Sequence, residues 1–420
     1  MNNEENPFAS NVEQLSFKQW SIVILIIGVI VWGVPRLWPM LEGFTPSANY
    51  RPPYALSSDY WMFKRWCDYA VKRYPCLMIG DSVLWGPYVK KEETLTQALN
   101  KAVGGEIFAN LGLDGLHPAA MVGLIKYYAT SIRNTKVIIN LNPLWLTSTK
   151  VDLQEDEETR FNHPGLVPQF FSKPRCYRPG FSEQVRNELD RHVPFLNWMN
   201  HINTAYFDNM SLLQWTIDNP DQSPLKIFSK GIQFEDNKPH SPPDPWTTKG
   251  IGEQNYSWVE LEKSYQWSSF KKAINILKSR NNEVFVIVGP FNGYMMTKEC
   301  LDRYTELKSK IESWLKQNKV SYYTALELPS ELYADASHPV AEGYRLIAEE
   351  MLKTDFIKSF KVKLPAASRG ASVVAEPSGT PPKPTRLRPL GFAEVTLPFT
   401  PVASHGALWQ RRVEDAKKTR

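Results

Sequence analysis

This chain is poorly provided for metal binding, nucleic-acid binding or a disulfide framework. Its four cysteines, Cys67, Cys76, Cys176 and Cys300, include no Cys-x-x-Cys pair and no metal-ligand spacing, which speaks against a zinc site. Cys67 and Cys76 could pair in an oxidising compartment, but Cys76 falls in an apolar run that reads as a strand, where a small buried thiol also fits. That question stays open. His163, His192, His201 and His240 are spread too widely for a ligand cluster and read as ordinary polar residues. The net charge of +5 conceals an excess of Lys and Arg over the last sixty or so residues. The remainder is near neutral or slightly acidic and offers no basic face for nucleic acid.

What is present is globular. With 420 residues, 42% hydrophobic and 22% charged, the chain suits one large domain with attachments. Trp20 to Val34 runs without a charge. Crossing roughly 30 Å of hydrocarbon takes about 20 residues, so the run suffices only if Leu37, Trp38 and Met40, beyond Pro35-Arg36, are counted. A cleaved secretory signal is the rival, but the basic leader is missing and no Ala-x-Ala site follows. A buried core helix is the third reading. Residues 1–42 are therefore expected to hold a single-pass anchor, with Trp20, Trp32 and Trp38 as interfacial aromatics and Arg36 snorkelling. Lys18 and Arg36 nearly balance, so charge does not set the orientation. Residues 43–71, with Pro46, Pro52 and Pro53, read as a spacer and helical lead-in. Residues 363–420, rich in Pro and Arg, read as a disordered tail.

Between them, strands alternate with helices. Apolar runs end at Ile79, Leu111, Leu141, Val288 and Tyr323, and segments of helical period separate them. That alternation predicts an α/β fold with a parallel sheet covered on both faces, spanning residues 72–362. About a hundred residues, roughly 149–264, break the period and read as an insertion with helices of its own, such as Phe181 to Arg191. Insertions at the carboxyl ends of strands commonly shape substrate access.

Two short stretches carry chemistry. Gly80-Asp81-Ser82 follows the first strand and places a hydroxyl where an open α/β sheet leaves its crevice. The same tripeptide also suits a plain turn. Asp335-Ala336-Ser337-His338 puts an acid and a base on one turn, as a serine nucleophile needs, although Ser337 or His338 could equally cap a helix opened by Pro339. Ser82 is outside a Gly-x-Ser-x-Gly elbow, which argues against an ordinary α/β-hydrolase.

Taken in order, Gly80-Asp81-Ser82, the glycine turn at Gly115, Asn142 after the third strand and Asp335-x-x-His338 resemble the blocks of the SGNH (GDSL-type) hydrolase family. The resemblance covers residues 72–150 and 280–355. It implies a flavodoxin-like αβα sandwich with a central parallel sheet, in which Ser82 is nucleophile, His338 general base and Asp335 its orienter. It also implies an oxyanion hole from the N–H groups of Ser82 and Gly115 and the amide of Asn142, with Gly112 as a second candidate donor. The third block departs from the family's usual Gly-x-Asn-Asp, reading Asn140-Leu141-Asn142-Pro143. A narrower resemblance, through the anchor, Asn142 to Trp145 and Gly289-Pro290-Phe291-Asn292, is to anchored SGNH proteins of the D-alanine transfer type from teichoic-acid operons. It implies an extracytoplasmic body, an acyl donor, a glycan or cell-envelope polymer as acceptor, and a membrane-bound O-acyltransferase as partner, with no cofactor. Transfer and hydrolysis are not distinguished by these residues, and a catalytically weak binding or scaffold module is the alternative.

Overall fold

The computed structural model describes residues 15–228, 235 and 237–360. The tail expected to be disordered lies outside the described residues. Helix α1 (Phe17–Leu41) carries the apolar run and is capped by Ser16, whose hydroxyl accepts from Gln19 N. It continues through Pro35 and Pro39 and so reaches 25 residues, beyond the length needed to span a bilayer. Most of its large apolar side chains are exposed. Arg36 folds back on it, donating to the Trp32 carbonyl at 2.6 Å and lying 4.3 Å over the Trp32 ring.

The body follows as α2 (Tyr60–Ala70), β1 (Cys76–Gly80), α3 (Ser82–Trp85), α4 (Leu95–Val103), β2 (Phe108–Gly112), α5 (Pro118–Gly123) and β3 (Lys136–Leu141). The insertion supplies α6 (Phe181–His192), α7 (Pro194–Tyr206), α8 (Leu212–Asp218) and α9 (Pro224–Phe228). The alternation then resumes with α10 (Tyr265–Ser279), β4 (Glu283–Val288), α11 (Lys298–Gln317), β5 (Ser321–Thr324), α12 (Ala341–Met351) and α13 (Asp355–Lys358). The strands form one parallel sheet in the order β2-β1-β3-β4-β5. This is the flavodoxin-like order, with the chain reversing direction between β1 and β3.

Strand side chains alternate between faces, and the core divides accordingly. Leu77, Ile79, Val137, Ile139, Val284 and Val286 pack with residues of α2, α5, α10 and α11. Cys76, Met78, Ile138, Phe285 and Ile287 pack with residues of α4, α12 and α13 on the other side. Burial on both faces is why these strands read as unbroken apolar runs. All four cysteines are free and buried.

Two expectations are corrected. Residues 48–53 are not a spacer but are built into the body. Ala48 O accepts from Asn110 N at 2.9 Å, Pro52 O accepts from Trp85 Nε1 at 2.9 Å, and the fully buried Arg51 donates at 2.8 Å to the carbonyls of both Gly86 and Val89. The prolines hold this strap extended rather than making it a linker. Helix α12 begins at Ala341, because Pro339 instead pairs with Tyr333 in an isolated bridge that closes the Asp335–His338 turn, with Ala334 N donating to His338 O at 2.8 Å.

Candidate active site

Strand β1 ends at Gly80, and Asp81 caps the single turn of α3 by accepting from Val83 N at 3.0 Å. Gly86 closes that turn in the left-handed region at φ 79°, which a glycine adopts without strain. Ser82 is thereby fixed as the first residue after the cap, at the carboxyl end of β1 beside the β1/β3 switch point. Arg51, bonded to the Gly86 carbonyl, braces the same turn from behind.

The Asp335–His338 turn arrives after β5 and meets this hydroxyl. His338 Nε2 lies 2.8 Å from Ser82 Oγ, and His338 Nδ1 lies 2.8 and 2.9 Å from the two oxygens of Asp335. The carboxylate fixes the proton on Nδ1, so Nε2 accepts from the serine hydroxyl. Asp335 is itself held by the N–H groups of Ser337 and His338, both at 2.9 Å. Burial works to raise the Asp335 pKa, but the His338 charge and these hydrogen bonds outweigh it and hold the carboxyl down at about 2. Burial works to lower the His338 pKa, and Asp335, reinforced by Asp81 and Asp114, overrides it and raises it above the ordinary value.

Asn142, at the end of β3, does not point into open space. Its Nδ2 donates to Asp81 Oδ2 at 2.8 Å and to Ser337 Oγ at 3.3 Å, while its Oδ1 accepts from Leu144 N at 3.0 Å. Trp145 Nε1 donates to the same Asp81 oxygen at 2.8 Å. Burial raises the Asp81 pKa, and the Val83 N–H, His338, Asn142 and Trp145 oppose that rise.

Gly115 lies in the loop after β2 at φ +67°, and the Asn162 side chain covers it so closely that a Cβ there would collide with Asn162 Nδ2. The insertion holds this loop. His163 Nε2 lies 2.7 Å from Asp114 O with Tyr60 OH on its other nitrogen at 2.9 Å, and His117 Nε2 lies 3.0 Å from Asn162 O. Burial lowers both histidines to about 4, so both are neutral at physiological pH. Neither Ser82 N nor Gly115 N is among the described donors to other protein groups. Gly112 N, by contrast, is taken up by Asn110 Oδ1 at 2.9 Å.

No family model matches this chain. No curated protein matches it either. Among solved structures it is similar to a protein of Desulfitobacterium hafniense DCB-2 assigned to the lipolytic proteins of the G-D-S-L family. The identity is 13%, the match covers 66% of this chain and 96% of that one, and the TM-score is 0.31. The likeness is slight.

The structure thus brings Ser82, Asp335 and His338 into one bonded line and sets Asn142 on Asp81, the residue before Ser82. Several site residues escape the sequence reading. Tyr88 lies with its ring 5.5 Å from that of His338, and Lys249 sits 4.3 Å over Tyr88 while donating to Ala334 O at 3.0 Å. Asp114 faces His338 from the Gly115 loop, and burial, with Asp81 adding to it, raises its carboxyl to about 6. Trp145 had a signal, since it closes the Asn142 to Trp145 stretch. Asn162, His163 and Lys249 had none, being single polar residues far along the chain. Among the described residues no group of three or more His, Cys, Asp or Glu is placed to hold a metal ion.

Proposed function

We propose that the chain is a membrane-anchored SGNH-type serine acyl-ester enzyme, an esterase or O-acyltransferase acting on an extracytoplasmic glycan or envelope polymer. The observation that carries the reading is the line Asp335–His338–Ser82, with hydrogen bonds of 2.8 Å on each side of the imidazole, at the switch point of the sheet. His338 takes the Ser82 proton as Oγ attacks an ester carbonyl, and Asp335 holds the imidazolium that forms. The negative charge then develops on the former carbonyl oxygen. The uncommitted N–H groups of Ser82 and Gly115 serve it, joined by Asn142 Nδ2 as its weak 3.3 Å bond to Ser337 gives way. The protonated His338 releases the alcohol, leaving an acyl group on Ser82. An acceptor hydroxyl or water, deprotonated by His338, completes transfer or hydrolysis.

A fluorophosphonate probe tests the enzyme. Covalent labelling of the wild type, lost in Ser82→Ala, is expected; a folded wild type that takes no label would leave a binding or scaffold module. Transfer is tested with a short acyl ester, where an added polyol is expected to collect part of the acyl group, and release of free acid alone would count for hydrolysis. The exposed apolar length of α1 supports the anchor, since a surface of that size is not left to water. Protease treatment of intact cells tests the placement, and a body protected in intact cells would overturn it.

A further inference from the structure

The insertion leaves exposed apolar residues on α8 and α9 that the proposed chemistry does not use. In α8, Trp215 is buried against Phe207, with ring centroids 5.4 Å apart. The opposite side of this helix carries Leu213 and Ile217, one turn apart and 73% and 63% exposed. Leu225, in α9, is 77% exposed. A water-facing helix normally carries polar residues on that side.

The position of this surface along α1 is fixed by Trp38. Its ring packs on Trp198 of α7 at 5.4 Å, Tyr206 at 6.2 Å and Phe228 of α9 at 5.5 Å. From Phe17 to Trp38 the helix rises about 32 Å at 1.5 Å per residue, close to the thickness of a hydrocarbon core of roughly 30 Å. Trp38 therefore stands at one boundary of the bilayer when Phe17 stands at the other, as interfacial tryptophans do. Met40, two residues further, is still 81% exposed. A polar clamp follows it. Glu42, just past α1, bonds Arg65, His201 and Tyr206.

We propose that α8 and α9 rest on the lipid surface, with Leu213, Ile217 and Leu225 dipping into the boundary between headgroups and acyl chains, so that the body is seated on the membrane at two places. The occupant is lipid rather than a protein partner because Phe228, one turn from Leu225 in α9, packs on Trp38, which sets α9 at the depth where α1 meets the bilayer boundary. The proposal rests on the reading of α1 as an anchor. The expected depth for such a face is about 5–10 Å.

The test uses the full chain in phosphatidylcholine vesicles, with a fluorophore on one introduced cysteine at a time; the four native cysteines are buried. Ile27→Cys reports the anchor, Leu213→Cys and Ile217→Cys the proposed face, and Ser309→Cys on α11, at the far edge of the sheet, a position in water. Lipids carrying a nitroxide near the headgroup are expected to quench the probes at 213 and 217 at least about threefold more than the probe at 309. A nitroxide deep in the chains is expected to quench the probe at 27 most. Quenching at 27, with the probes at 213 and 217 quenched no more than the probe at 309, would overturn the proposal and leave the anchor standing. No quenching at 27 would remove the anchor and the proposal with it. Probes at 213 and 217 that stay unquenched in vesicles, yet are shielded from aqueous iodide in native membranes, would assign the face to a protein and overturn the lipid assignment.

Discussion

His338 and His201 are both buried, and each has Nδ1 on an aspartate, but they differ at the other nitrogen. His338 Nε2 meets the Ser82 hydroxyl at 2.8 Å, whereas His201 Nε2 meets a second carboxylate, Glu42, at 2.9 Å, with Asp59 on Nδ1 at 2.6 Å. Two acceptors call for two protons. His201 is accordingly a fixed cation: burial works to lower its pKa, but Asp59 and Glu42 outweigh that and raise it to about 9. Trp61 stacks on its ring at 4.4 Å, and Arg65 shares Glu42. The same pairing of histidine and aspartate thus builds the proposed base in one place and a rivet between α1, α2 and α7 in the other. What differs is whether the second nitrogen ends on a group that can give up a proton in a crevice.

The sharpest way to break this comparison is to remove each histidine. His338→Ala is expected to cut kcat/KM by about a thousandfold to ten-thousandfold or more, and Asp335→Asn by a similar order, without unfolding the protein. His201→Gln should leave kcat/KM within a few-fold. The pH profile sharpens the point. Nε2 must be unprotonated to act, and the carboxylates around His338 raise its pKa, so the acid limb of kcat/KM in the wild type lies above the ordinary histidine value of about 6.5. A limb at or below that value would mean that Asp335 does not govern the base.

Asn142→Ala comes next. Losing one preorganised oxyanion donor is expected to lower kcat about a hundredfold to a thousandfold with KM nearly unchanged. A loss confined to KM would make Asn142 a support for Asp81 alone.

These residues were legible for a local reason. Ser82, Gly115 and Asn142 each follow an apolar run that a buried parallel strand requires, so position in the alternation marks them, while Asp335 and His338 are marked by an acid and a base three residues apart. The partners that hold them were not legible. Arg51 reaches the Gly86 carbonyl from a Pro-rich segment that resembles a linker, and Asn162 and His163 reach the Gly115 loop from an insertion without period. Such contacts join distant stretches through single side chains and leave no spacing to read. The His201 cluster was hidden for the same reason, because Glu42, Asp59 and His201 come from three separate stretches of chain.

That cluster gives the third effect, on stability. The folded-state pKa of His201 is about 9 against about 6.5 unfolded, so its stabilisation is complete below pH ~6.5, fades as pH rises, and is gone above pH ~9. The loss is at most ~3 kcal/mol. Thermal unfolding of the full chain in detergent should show Tm falling across that window, and His201→Gln should start lower and fall less. A wild-type Tm that rises from pH 7 to 9 would contradict a charged His201.

The smallest effect concerns Trp145, which is bonded to Asp81, the residue before Ser82. Trp145→Phe keeps a ring in place but removes one of the side-chain donors to the Asp81 carboxylate, leaving Asn142 as the other. With that hydrogen bond gone, burial raises the Asp81 pKa further, and the carboxylate charge is held less firmly. Asp81 is one of the groups that raise the His338 pKa. The acid limb of kcat/KM should therefore move to lower pH, while kcat falls by about threefold to tenfold, in keeping with ~1 kcal/mol for one hydrogen bond. A ring that served packing alone would lower Tm without moving the limb, so the pH profile of Trp145→Phe separates an electrostatic role, acting through Asp81 on His338, from a filling one.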